Sequence, residues 1–170
     1  MTISETLVPQ FDHEMVITRK CLERVPEDKF GWKPHEKSMD FVTLASHIAE
    51  MASWATTTVN TDELDFAPEG GAPYEMFVAK TNEELLAKFD QTVTEARTAL
   101  AGCSDDEFRK PWSLKAGSQV LFTMPKISTI RGMVISHIIH HRGQLSVYLR
   151  LNDIPVPSIY GPSADDSGGM

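Results

Sequence analysis

Residues Ile130-Arg-Gly-Met-Val-Ile-Ser-His-Ile-Ile-His-His-Arg-Gly-Gln-Leu-Ser-Val-Tyr-Leu-Arg150 read as one long helix. Ile130, Met133, Val134, His137, Ile138, His141, Leu145, Tyr148 and Leu149 fall along one broad face at helical spacing. Pro125 suits the first turn, where a missing N–H would have no partner anyway. Asn152 and Pro155 close the helix after Leu151. A helix over 125–151 with one apolar face must bury that face against other elements.

The rest of the chain supplies those elements. A first helix lies within 4–24, its regular part starting near Pro9, with Phe11, Met15 and Leu22 near one face. A second runs from about Asp40 to Asn60 on Phe41, Leu44, Ile48, Met51, Trp54 and Ala55. A third follows the capping box Thr81/Glu84, in which threonine caps the backbone and glutamate reaches back. Leu85, Leu86, Phe89, Val93, Ala96 and Leu100 carry its apolar face to about Gly102. Residues 61–80, with Pro68, Gly70, Gly71 and Pro73, form a long connection, either a lid over a site or a plain crossover. Residues 111–123 are compatible with a small hairpin. The expected class is all-α: an up-down four-helix bundle in one domain over 1–160, with a flexible tail at 161–170.

Composition narrows the function. The formal net charge of −8, with no basic run, argues against a nucleic-acid partner. The N-terminus lacks a basic region followed by an apolar one, and no stretch is apolar enough to span a bilayer. Cytoplasmic location is the expectation. Cys21 and Cys103 make no Cys-x-x-Cys, so neither a zinc ribbon nor a thioredoxin-like motif is available.

Chemistry concentrates in the histidines. On a helix, His137 and His141 differ by only about 40° in direction, so both project from one face. Two imidazoles one turn apart can reach one metal. His47 interrupts the apolar stripe of the second helix, and a polar residue there needs a partner. Three protein ligands with open positions for substrate are the usual catalytic arrangement. Imidazole suits zinc, nickel, iron or copper better than magnesium or calcium. The zincin pattern is excluded, because Ile138 stands where the general-base glutamate would be. Glu50 is either a hydrogen-bond partner of an imidazole or a solvated residue. Arg142 is either a surface residue or an anchor for an anionic substrate. His13 and His140 have no assigned role. Gly132, Ser136, His140 and Gly143 share a small, polar face that suits a dimer seam or close packing within the chain.

The stretch His137-Ile-Ile-His-His-Arg-Gly-Gln-Leu-Ser-Val-Tyr-Leu-Arg150 closely resembles the signature of the DinB/YfiT-like metalloenzymes. So does Leu44-Ala-Ser-His-Ile-Ala49, and the order of elements over about 5–160 matches. The resemblance implies a four-helix bundle, often homodimeric, with one divalent metal, commonly nickel or zinc. It implies His47, His137 and His141 as the ligands. Characterised relatives include S-transferases that use bacillithiol or mycothiol, and a mycothiol-dependent maleylpyruvate isomerase.

The leading expectation is therefore a metal-dependent transferase joining a low-molecular-weight thiol to a small electrophile. Iron, manganese and copper are alternatives to nickel and zinc. A metal-dependent hydrolase or isomerase would use the same ligands. A non-catalytic metal- or ligand-binding stress-response protein belongs to a different class. No residue is assigned as general acid or base.

Overall fold

The computed structural model describes residues 1–71 and 74–168. Helix α1 spans Ile3–Leu22 and opens on a capping box: Thr2 Oγ1 accepts from Glu5 N–H, and Glu5 Oε2 accepts from Thr2 N–H at 2.7 Å. The cap starts the helix six residues before Pro9, which is carried inside it at the loss of one backbone bond. Helix α2, Phe41–Met51, starts at Asp40, whose carboxylate accepts from Thr43 N–H at 2.9 Å. The second expected helix is broken at Ala52, and its remainder is α3, Ser53–Asn60.

Strand β1, Glu63–Asp65, and an irregular strap lead to α4, Asn82–Gly102, and the short α5, Asp105–Arg109. Pro73 of the strap lies outside the described residues. Strands β2, Pro111–Ala116, and β3, Gln119–Pro125, form a hairpin turning at Gly117, whose φ of +59° suits glycine. The last rod is continuous from Lys126 to Leu151 but not uniform. It runs from α6, Lys126–Thr129, through a π-helical segment, Ile130–Ser136, into α7, His137–Leu151.

The all-α class expected from periodicity is overturned. The chain is mixed α/β, 57% helical, with a three-stranded mixed sheet. Strand β1 pairs in parallel with β2 (Leu64 opposite Leu114), and β2 pairs antiparallel with β3. The parallel partner is about fifty residues away in sequence and too short to show a strand pattern of its own. The sheet is attached through Trp112, which is buried and donates from its indole N–H to Thr61 Oγ1 at 3.2 Å.

The core lies between α1, α2, α4 and α7 and contains Leu7, Phe11, Phe41, Leu44, Ile48, Phe89, Ile138 and Leu145. Trp32 covers one end of it, packed on Phe41 and Tyr148. Cys21 and Cys103 are free thiols, both buried. The C-terminal segment, expected to be flexible, carries a network over its described part. Asp165 accepts from Val156 N–H and Arg150, and Asp166 from Ser158 N–H. Among the described residues, no helix is long and apolar enough to cross a membrane.

Lys126 is buried where sheet meets bundle. Its ammonium donates to the Val59 carbonyl at 3.0 Å and Glu107 Oε1 at 2.6 Å. Hydrogen bonds from Lys110 and Lys126 hold the Glu107 carboxyl down at about 2, below its ordinary 4.5. A depressed acid stabilises the fold above the unfolded value, and the gain is lost as pH falls through the folded value. Glu107→Gln should therefore lower Tm at pH 7, and the gap to the parent should close between about pH 4.5 and 2. A gap that stays constant on thermal melts across that range would exclude this coupling.

Candidate metal centre

Helices α2 and α7 lie side by side and bring His47, His137 and His141 together. One ring nitrogen from each lies within 4.8 Å of the others, a grouping that could hold a metal ion. The rings are 4.6 Å (His137–His141), 4.7 Å (His47–His141) and 5.3 Å (His47–His137) apart, centroid to centroid. His141 is buried, and the other two are half-buried at the edge of the core stripe. The helical repeat accounts for the pair on α7. The third ring joins because Leu44, Ile48 and Met51 turn that side of α2 into the bundle.

Hydrogen bonds orient the rings. His141 Nδ1 and Gln144 Oε1 are 2.7 Å apart, so a neutral His141 carries its proton on Nδ1 and keeps the Nε2 lone pair free. His137 Nε2 and His141 Nε2 face each other at 2.7 Å. With the His141 proton on Nδ1, its Nε2 lone pair points at the His137 ring, a position from which both rings can share a cation. Nitrogens sharing a metal at about 2.0–2.1 Å lie roughly 2.9–3.4 Å apart, so the rings need open only by tenths of an ångström.

Electrostatics point the same way. Burial lowers all three imidazoles below their ordinary 6.5, His141 to about 4, and their mutual repulsion adds to this for His47 and His141. Neutral rings are the form in which histidine binds a metal.

A recess of about 270 Å³ opens beside the cluster, walled by His141, Gln144, Leu44, Met39 and Tyr148, with Lys37 and Ser38 at its polar side. Next to His47 on α2, Glu50 Oε2 accepts from Tyr74 O–H at 2.7 Å. Ser46 Oγ accepts from Ala79 N–H at 2.9 Å. These bonds fasten the strap along α2.

The other candidates are placed as follows. Glu50 binds the strap and is neither an imidazole's hydrogen-bond partner nor a free surface carboxylate. Arg142 is 1% exposed and paired with Glu14 at 2.8 Å, which overturns both the surface and the substrate-anchor readings. Its hydrogen-bond partners sit on α1 and the C-terminal segment, out of reach of any intrahelical pattern. His13 and His140 are exposed. Gly132, Ser136 and Gly143 are exposed beside His140, so that face is not used for packing within the chain. Gln144 was missed from sequence, although its i, i+3 relation to His141 was the signal available.

Residues 10–145 match the model of the DinB superfamily. A solved DinB-like protein of Bacillus cereus superimposes with a TM-score of 0.71 at 21% identity, covering 94% of this chain and 98% of that one. A DinB-like protein of Bacillus subtilis gives 0.67 at 18% identity, covering 94% and 97%. Identities this low establish a shared fold only. No curated protein matches the chain.

Proposed function

This chain belongs to the DinB superfamily, and we propose that it is a metal-dependent S-transferase joining a low-molecular-weight thiol to a small electrophile. One observation carries the reading: two Nε2 atoms 2.7 Å apart, the His141 ring held by Gln144 at Nδ1, with a third imidazole beside them. In this reading His47, His137 and His141 hold one divalent transition metal, nickel or zinc before iron, manganese or copper. Such a metal, when bound, favours the thiolate form of a thiol brought to it.

The chain's own residues do the rest. Gln144 fixes the tautomer of His141. The recess edged by Lys37 and Ser38 takes the polar end of the thiol, with the Lys37 ammonium meeting a carboxylate. Leu44 and Tyr148 keep its inner wall dry. The thiol gives its proton to solvent, its sulfur forms a bond to the electrophilic carbon, and the leaving group departs with the electron pair of the broken bond. Cys21 is no rival nucleophile, because burial pushes its thiol up to about 11. A homodimer belongs to this reading, with the exposed Gly132, Ser136, His140 and Gly143 face as its seam.

The test is a panel of small thiols with 1-chloro-2,4-dinitrobenzene, using nickel- or zinc-loaded and metal-stripped protein. Thioether should form above background only when thiol and metal are both present. Turnover that needs metal but no thiol would replace this reading with a hydrolase, and no turnover on any pair would remove the enzyme claim.

A further inference from the structure

A second cavity, well formed among the described residues, contains none of the three histidines. It holds about 410 Å³, within the range of small-molecule sites, and lies between α3 and the sheet. Trp54 of α3 forms one wall. Leu64 and Leu114, opposite each other across β1 and β2, form the floor. Phe66, Pro68 and Tyr74 of the strap close over it. We propose that this cavity is a second chamber of the site, which binds an uncharged, apolar, aromatic molecule.

Three observations carry the assignment. First, the lining offers no cation to a ligand and one carboxylate already engaged by backbone. The ionised side chain on it, Asp65, turns Oδ1 to the N–H groups of Gly117 at 2.9 Å and Ala67 at 3.0 Å. An uncharged ligand is therefore preferred, since a charged one would enter apolar surroundings unpaired. Second, Trp54, Phe66 and Tyr74 supply aromatic faces from separate elements. Phe66 is 37% and Tyr74 53% exposed, apolar area that a ring in the chamber would cover. Third, the helix face that carries His47 also reaches the chamber. His47, Glu50 and Trp54 follow one face of α2–α3 at intervals of three and four residues. Glu50 is bonded to Tyr74 of the strap at 2.7 Å. From His47 to Trp54, across the break at Ala52, the backbone advances roughly 10 Å, about the length of two or three fused rings. The occupant's role as the electrophile rests on the transferase reading, whereas its binding does not.

The test is calorimetric titration of 2-naphthol, with 2-naphthol-6,8-disulfonate as the charged control, into metal-stripped and metal-loaded protein. One-to-one saturable binding of the naphthol is expected in both forms, and none of the disulfonate. Leu64→Glu places a carboxylate on the floor and should weaken naphthol binding by roughly tenfold or more. If Leu64→Glu is unfolded by circular dichroism, Phe66→Ser, on the exposed strap, decides instead, with the same direction expected. Absence of saturable binding in the parent, equal binding of the disulfonate, or unchanged affinity in the folded variant overturns the proposal. Naphthol binding by a protein that takes up no metal would sink the transferase reading and leave the chamber standing. Metal uptake without naphthol binding would do the reverse.

Discussion

His141→Ala should take the metal content of the purified, tag-free protein from about one transition metal per chain to below about a tenth. His141 is the ring nearest both others, at 4.6 and 4.7 Å between centroids, so its removal leaves the two that are farthest apart. The loss should be selective. His141 lies at the edge of the core, and the variant should stay folded by circular dichroism. A metal bound only by the folded chain adds stability that grows with the logarithm of its free concentration relative to Kd, so a chelator should lower the parent Tm and leave the variant unmoved. Gln144→Ala should fall between the two, weakening metal binding by roughly 10- to 100-fold, the usual cost of losing a ligand's hydrogen-bond partner. Elemental mass spectrometry and melts with and without EDTA give both readouts. A parent that takes up no nickel or zinc on reconstitution, or a His141→Ala protein that keeps its metal, would end the three-histidine assignment.

That site was legible because its signal is local. The spacing of His137 and His141 is a property of one helix, and His47 stands out because Leu44, Ile48 and Met51 surround it with a stripe that a short window detects. The features that escaped the sequence depend on distant partners. Strand β1 exists because Leu64 meets Leu114, and nothing in Glu63–Asp65 itself calls for a strand. This one pairing turns an expected helical bundle with a hairpin into a mixed α/β chain, and it also builds the floor of the apolar chamber. The break at Ala52 and the π-helical segment before His137 have no marker in hydrophobic pattern either, because apolar residues continue through both. Capping was the exception among local signals. Thr81 and Glu84 mark the start of α4, and the equivalent pattern Thr2-Ile-Ser-Glu5 marks the start of α1 ahead of Pro9.

Arg142→Met should destabilise the chain by about 3–5 kcal/mol while leaving metal content unchanged. The guanidinium is 1% exposed and Glu14 6%. Arg142 forms an ion pair with Glu14 Oε2 at 2.8 Å and donates to the Glu14 carbonyl at 3.2 Å, to Thr18 Oγ1 at 3.1 Å and to Tyr160 Oη at 2.6 Å. Tyr160 O–H in turn donates to Glu14 Oε2 at 2.8 Å, which closes a network joining α1, α7 and the C-terminal segment. Methionine fills much of the same volume, so the cost comes mainly from a carboxylate left buried beside one hydroxyl. For a chain of this size, that corresponds to a fall in Tm of roughly 6–20 °C. The double variant Glu14→Gln/Arg142→Met removes the stranded charge and should recover a large part of the loss, because a buried ion pair gains little over a well-packed neutral replacement. Thermal melts of the two single variants and the double variant form the cycle, and Glu14→Gln alone should be milder than Arg142→Met. The alternative role for Arg142, holding an anionic substrate, predicts the opposite pattern: nearly unchanged melting with a raised KM. That outcome would mean that the Glu14 contact opens in solution and that Arg142 belongs to the site after all. The geometry favours the first outcome, because Arg142 is 1% exposed and its Nη1 and Nη2 turn to Glu14, Thr18 and Tyr160, on α1 and the C-terminal segment.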